Sequence, residues 1–579
     1  MGRNLGSFKT RVRILGLFFL FFAGLLAGRL FFIQVSGHDF YLSKAERQYN
    51  APYQSPPSIS VRGDIYFKNK SDTLPPLTAG TVKSGFLVAV NPTLVENAEF
   101  VCGELNKIVV VDEELCVERA SKKDDPFEII AHRIEDETVK KIEALKIEGV
   151  GLYPEQWRFY PGGSLASQVL GFVGYKGDEL VGRYGLENYY EDVLKGKKES
   201  LKTRASFAMS FFDLGKEILG TEILTGYDIV LTIEPSVQSF LEKKLADLVD
   251  DWDAEEAGGI IMNPKTGAII AMAGKPDFNP NYYNEVEDIS YFRNSLISDI
   301  FELGSVMKPF TMAAALDAGR IDQNTTYVDN GYVVLNGAKI ENYDGKARGR
   351  AGIQDILNES LNTGAIFIMQ QLGKKKFLDY FEDYGFREKT GIDLPAETSG
   401  DLSNLSSFRD VEFATASFGQ GIAISPIEFT VAVASLANGG VLVRPYVVEK
   451  VSVDGVRDEI TKPVVLKRVL KEETSKEITR MLVKVTDDAL MGGTVKMDRY
   501  SVAAKTGTAQ LPKEHEAGYY DDQSLHSFFG YGPAFDAEFV VFLYLKKPQG
   551  VRYASHTLTN PFMDIMSFLF NYYEVPPDR

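Results

Sequence analysis

Residues 14–35 read ILGLFFLFFAGLLAGRLFFIQV, and this run restricts the chain more than any other feature. As a helix, 22 residues reach roughly 33 Å, the thickness of a bilayer's hydrocarbon core. Arg29 is its one charge, near the outer end, where a long side chain can reach the headgroups. Arg3, Lys9, Arg11 and Arg13 precede the run without an acid among them, so the positive-inside rule keeps residues 1–13 in the cytoplasm. The apolar run continues past the small residues Ala27 and Gly28, which favours a retained anchor over a cleaved signal peptide. The expectation is a single-pass protein of the cytoplasmic membrane whose remaining domains lie outside the cell interior. No other stretch is long and apolar enough to span.

What lies beyond the anchor is folded and multi-domain. The chain has 579 residues, 44% of them hydrophobic, far from the composition of disorder. A net charge of −17 argues against nucleic-acid binding, which needs a basic face to displace phosphate counterions. Five scattered histidines and two cysteines provide neither a zinc centre nor a disulfide scaffold. No metal and no cofactor is expected. Cys102 and Cys116 sit in what reads as helix, loop and helix, outside the membrane. Two buried free thiols are the expected state, with a bridge as the alternative.

Residues 51–67, APYQSPPSISVRGDIYF, read as an extended linker followed by a strand. Short strands (86–90, 127–134) then alternate with helices, one of which sets Val139, Ile142 and Leu145 at helical spacing. The texture changes near 218. Pro235 opens a helix whose stripe is Val237, Leu241, Leu245 and Leu248. GGIIM and AIIAMA, joined by NPKTG, form a predicted hairpin, and strand signals return at YSVAAKTGTA and EFVVFLYL. Strands at both ends with helices between them predict an α+β domain, one antiparallel sheet assembled from both ends and packed with helices.

The chemistry begins at LGSVMKPF. Ser305 and Lys308, three residues apart, share a face of a helix. Pro309 is tolerated only in a first turn, so the helix should start close to Ser305. A serine hydroxyl is a poor nucleophile until a neighbouring base takes its proton. Lysine is a base only when neutral; its ordinary pKa near 10.4 leaves roughly 1 in 2500 deprotonated at pH 7, a gap of about 4.6 kcal/mol. Desolvation and a second cation would narrow that gap. By chance a chain of this length would contain about two S-x-x-K sequences; this one has a single instance, so the motif alone decides nothing.

Its companions decide. SLNTG supplies Ser360 and Asn362 as S-x-N, and Lys505-Thr506-Gly507 follows at the end of a strand. The ordered set S-x-x-K, S-x-N, K-T-G belongs to penicillin-binding proteins and serine β-lactamases. K-T-G occurs twice more. Lys265-Thr266-Gly267 is a hairpin tip and Lys389-Thr390-Gly391 a helix-ending loop, so only the triplet at Lys505 has a catalytic reading.

At this point the chain resembles the class B penicillin-binding proteins, monofunctional peptidoglycan D,D-transpeptidases. RGDIY (62–66), RFYPGG (158–163), GFVG (171–174) and RYGLENYYEDVLKG (183–196) resemble that family's N-terminal module; NPKTGAIIAMAGKPDFNPN, ATASFGQGIAISP and LANGG resemble its transpeptidase domain. ELGS in place of Glu-Pro-Gly-Ser, FKN after RGDIY, and Ala504 before K-T-G are departures. Of these, the Ala504 methyl is expected to bear on backbone approach to substrate. The resemblance implies a tail at 1–13, an anchor at 14–35, a non-catalytic pedestal or dimerisation module at 36–218 and a transpeptidase domain at 219–579. It implies that Ser305 attacks the carbonyl between two terminal D-alanines of a stem peptide, with Lys308 as base. Ser360 and Lys505 would relay a proton to the leaving D-alanine, and Asn362 would hold the peptide amide. Lys505, Thr506, Gly507 and Thr508 would receive the substrate carboxylate, and the N–H groups of Ser305 and Thr508 would form an oxyanion hole. Implied partners are peptidoglycan stem peptides, β-lactams, a multi-spanning glycan polymerase contacting residues 14–80, and other division or elongation proteins, the division-specific type being favoured. Rival readings are a Ser/His hydrolase using His526, a serine β-lactamase, and a non-catalytic scaffold. A bifunctional enzyme is disfavoured, because 36–218 has no glycosyltransferase motif.

Overall fold

The computed structural model describes residues 20–22, 24, 62–70, 75–177, 179–195, 226–453, 457–513, 516 and 518–579. The tail at 1–13, nearly all of the expected anchor at 14–35, and the expected boundary at 218/219 lie outside them. Among the described residues no helix is long and apolar enough to cross a membrane. The chain forms two compact units, one containing residues 84–155 and the other residues 59–83 and 156–579.

In the smaller unit the end of strand Thr78–Val90 pairs antiparallel with Glu128–Ile134, and helices Ala98–Asn106, Glu113–Ala120 and Asp136–Leu145 complete it. Asn97 and Asp112 cap the first two helices, accepting hydrogen bonds from the Phe100 and Leu115 N–H groups. Val88, Val90, Val101, Leu105, Ala120 and Ile142 make its core. Cys102 and Cys116 are joined there in a disulfide, which corrects the expectation of free thiols. Helical spacing buries each cysteine separately; only the packing of the two helices brings them together. Closing a loop of 14 residues stabilises by about 3 kcal/mol in the chain-entropy account. Cys102→Ser with Cys116→Ser should therefore lose about that much in denaturant unfolding, and wild type unfolded in reductant should match the variant.

The larger unit is built around five antiparallel strands. In chain order it has α1 (Pro235–Trp252), the hairpin β1 (Glu256–Met262) and β2 (Ile269–Lys275), then α2 (Lys308–Asp317), α3 (Asn362–Leu372), α4 (Pro426–Ala437) and α5 (Glu472–Lys484). Strands β3 (Ala503–Pro512), β4 (Tyr519–Gly532) and β5 (Phe539–Lys546) follow, then α6 (Thr559–Tyr572). The sheet order is β3-β4-β5-β1-β2, so strands from both ends of the domain meet where β5 pairs with β1. Period-two alternation sends neighbouring residues to opposite faces. Ile261, Val541, Leu543 and Phe528 pack with the stripe of α1 (Val237, Leu241, Leu245, Leu248) and with α6, whereas Ile260, Phe542 and Phe529 join the core formed with α2 to α5. Pro235 stands in the first turn of α1, with the Glu234 carboxylate accepting from the Val237 N–H. At the hairpin tip Gly267 has φ +85°, and a Cβ there would lie 2.2 Å from the Arg444 carbonyl oxygen.

Candidate active site

Ser305 lies in a 3₁₀ turn, Gly304–Met307, that runs directly into α2 with Pro309 in its first turn. Gly304 donates its N–H to the Gly419 carbonyl at 3.1 Å. Its φ is +66°, and a Cβ would meet the Thr508 carbonyl oxygen at 2.8 Å. Gly419, at φ +83°, would place a Cβ 2.2 Å from the Gly304 oxygen. Two glycines thus let the turn that carries Ser305 wedge between β3 and the Ser417–Gly421 segment. Motif reading did not mark Gly419 as functional; its only sequence signal is the Gly-Gln-Gly spacing after Phe418.

Lys308 is 1% exposed and Lys505 2%. Both side-chain nitrogens converge on Ser360. Lys308 Nζ donates to the Ser360 carbonyl at 2.5 Å and lies 3.2 Å from its Oγ, while Lys505 Nζ lies 3.1 Å from the same Oγ and 3.0 Å from the Thr506 carbonyl. Burial, and then the charge of Lys505, pushes Lys308 well below the usual 10.5. Burial brings Lys505 down to about 8. Ser360 has φ +53°, a left-handed conformation uncommon outside glycine. Asn362 opens α3 and donates from Nδ2 to the Glu341 carbonyl at 2.9 Å.

Strand β3 is the edge of the sheet. A cleft of about 1300 Å³ is lined by Ser305, Ser360, Asn362, Lys505, Thr506 and Thr508. Thr508 Oγ1 accepts from the Ala554 N–H at 3.0 Å, which leaves its hydroxyl hydrogen to donate. Lys308 lies behind this surface. Gly507 does not line it; a Cβ there would stand 2.4 Å from Ser527 Oγ and 2.6 Å from the Leu303 oxygen, so Gly507 permits β3 to approach the turn that carries Ser305.

Three further expectations meet the structure here. The Ala504 methyl does not face the cleft; it is fully buried with Phe528 and Phe562 and sits opposite Gly530, whose missing side chain leaves it room. His526 is also fully buried, with Nδ1 2.9 Å from Thr557 Oγ1, and burial lowers it to about 4, so it makes no triad with Ser305. The other two K-T-G triplets are turns. Thr390 and Gly391 give their N–H groups to Glu397, and Lys265 pairs with Asp536.

A serine at the head of a helix, a buried lysine one turn on, and a second serine shared with a strand lysine are gathered at the edge of a sheet packed between two helical layers, and these are the groups that serine acyl transfer requires. Residues 257–567 match the family described as the penicillin binding protein transpeptidase domain, and residues 61–207 match the penicillin-binding protein dimerisation domain. The chain belongs to the penicillin-binding transpeptidase family, in its class B form. It is 32% identical over 531 residues to stage V sporulation protein D of Bacillus subtilis, covering 90% of this chain and 78% of that protein. It is 27% identical to the probable peptidoglycan D,D-transpeptidase PenA of Neisseria gonorrhoeae, covering 82% and 79%. Among solved structures, penicillin-binding protein 2X of Streptococcus thermophilus superposes with a TM-score of 0.70 at 20% identity, covering 90% and 81%. Penicillin-binding protein 3 of Mycobacterium tuberculosis, in complex with aztreonam, gives 0.65 at 24% identity, covering 74% and 92%.

Proposed function

We propose that this protein cross-links peptidoglycan stem peptides by serine acyl transfer. The observation that carries the reading is the meeting of Lys308 and Lys505 at the Ser360 hydroxyl, beside a cleft lined by Ser305. Neutral Lys308 removes the Ser305 proton as Oγ attacks the carbonyl of the penultimate D-alanine. That proton passes by way of Ser360 to the leaving D-alanine amine. Charged Lys505, with Thr506 and Thr508, holds the substrate carboxylate, and Asn362 holds the peptide amide. The N–H groups of Ser305 and Thr508 receive the developing oxyanion, a contribution worth about 10²–10³ in rate per donor. The amine of a second stem peptide then resolves the ester, forming the cross-link and freeing Ser305. A β-lactam takes the donor's place and stays on the serine; the structurally similar penicillin-binding protein 3 was solved in complex with aztreonam.

The same proposal places a membrane anchor at 14–35, a non-catalytic module at 36–218 and the transpeptidase domain at 219–579, with a multi-spanning polymerase as partner near residues 14–80. Septal synthesis is the favoured setting. Depletion in the native cell would give filaments on this reading, whereas rounded cells would indicate elongation. The chemistry is tested by labelling the full chain with a fluorescent penicillin. Wild type should carry one label that persists through denaturing electrophoresis, and Ser305→Ala should carry none. Label lost within seconds would indicate a β-lactamase, and an unlabelled wild type a silent scaffold.

A further inference from the structure

Asp329 is a buried carboxylate that the proposed reaction leaves unused. It ends the strand Thr326–Asp329 and is 1% exposed. A buried carboxylate is costly unless its lone pairs are filled. Here they are. Oδ1 accepts from the Gly331 N–H at 2.9 Å and the Thr363 hydroxyl at 2.8 Å, and Oδ2 accepts from the Arg348 N–H at 2.9 Å. The Asn342 amide nitrogen lies 3.1 and 3.0 Å from the two oxygens. Asn342 so held presents its Oδ1 to the Thr363 N–H at 3.2 Å.

These contacts fall at the start of α3. Helix starts leave N–H groups without intrahelical partners, and Leu361 before α3 supplies no side-chain cap. The Thr363 N–H is satisfied instead from a distant segment, by Asn342. One residue earlier, the Asn362 amide bonds the Glu341 carbonyl, so adjacent residues 341 and 342 grip adjacent residues 362 and 363. Two residues before Asn362 stands Ser360 at φ +53°, a conformation that persists only where its surroundings fix it.

We propose that Asp329 is a positioning residue for the Ser360–Asn362 segment. Through Asn342 and Thr363 it fixes the start of α3, and with it the aim of the Ser360 hydroxyl between Lys308 and Lys505. The inference rests on the acyl-transfer reading above. Its test is acylation of the full chain by a fluorescent penicillin, resolved into a binding constant and an acylation rate constant. Asp329→Asn should lower the rate constant 10- to 100-fold and weaken the binding constant by no more than about five-fold, because β3 is untouched and only the Asn362 contact to the ligand amide is disturbed. Thr363→Val should do the same, and Thr363→Ser, which keeps the hydroxyl, should stay within about three-fold of wild type. An unchanged rate constant overturns the proposal. So does a binding constant weakened as much as the rate constant, which would mark a generally loosened cleft, or a Thr363→Ser variant as slow as Thr363→Val. Should Asp329→Asn fail to give a cooperative thermal transition, the two Thr363 variants decide by the same criteria. A wild type that is not acylated at Ser305 overturns the acyl-transfer reading itself, whereas acylated wild type with equally fast variants overturns only the role of Asp329.

Discussion

Lys308→Met should lower the rate of penicillin acylation by about 10²–10⁴, the range by which a positioned general base accelerates proton transfer. In barrier terms that is about 2.7–5.4 kcal/mol. Lys308→Arg should be as slow. A guanidinium keeps the positive charge and much of the bulk but cannot become neutral in a protein, so it separates a base from a mere cation. The pH profile carries the same logic. Burial and then Lys505 depress Lys308 well below 10.5, so the rate rises with pH as its proton leaves. On the proposed mechanism Lys505 keeps its proton to receive the substrate carboxylate, and burial brings it down to about 8, so the rate should fall above that value. Lys505→Arg should remove this alkaline limb, whatever its residual rate, because arginine does not titrate there. Stability runs the other way. Between about 8 and 10.5 the folded protein holds one proton fewer at Lys505 than the unfolded chain, so unfolding becomes harder as pH rises through that window. A rate profile that ignores both lysines would sink the assignment of the base.

Local spacing made half of this site readable and tertiary packing hid the rest. Ser305 and Lys308 are one turn apart, and Pro309 stands in the first turn of α2, so their closeness in space needs nothing but helix geometry. The stripe of α1 and the hairpin at Gly267 were legible for the same reason. The meeting of Ser360 and Lys505 spans 145 residues and could be inferred only by resemblance. Gly419 and Asn342 act on Gly304 and Thr363 through contacts between segments that no helical or strand period links, and neither carries a chemical signature of its own. The disulfide was misjudged because a spacing of 14 residues does not say how two helices cross. Ala504 was misjudged because its neighbour across the sheet, Gly530, is fixed by register rather than by the local sequence.

Glu187→Gln should destabilise the larger unit by about 3–5 kcal/mol, the cost of stranding buried arginines by removing their shared partner. Glu187 is wholly buried. Arg158 Nε donates to its Oε1 at 2.6 Å, and Arg62 Nε to its Oε2 at 2.7 Å, with Arg62 Nη2 2.5 Å from the same oxygen. Tyr160 adds its hydroxyl at 3.2 Å. Arg62 would retain Glu191, 2.7 Å away. Arg158 would keep neutral acceptors, the Gly63 carbonyl at 2.9 Å among them, but no ion-pair partner among the described residues, so most of the loss falls on it. Burial alone would raise the Glu187 carboxyl, yet Arg158 and Arg62 hold it below the usual 4.5. A depressed carboxylate contributes its stability above 4.5 and loses it as pH falls through the folded value, so wild type should show an acid transition that Glu187→Gln lacks. The cluster is also a sharp case for whether a buried ion network stabilises at all. Replacing Arg62, Arg158 and Glu187 together by apolar residues of similar volume removes the desolvation cost along with the attraction, and such replacements have often proved neutral or better. Urea unfolding of the single and triple variants separates the alternatives. A large loss in Glu187→Gln that the triple variant recovers would mean that the network fixes how RGDIY, RFYPGG and RYGLENYY meet without adding net stability. A triple variant as unstable as the single would mean that the charges themselves hold these segments together.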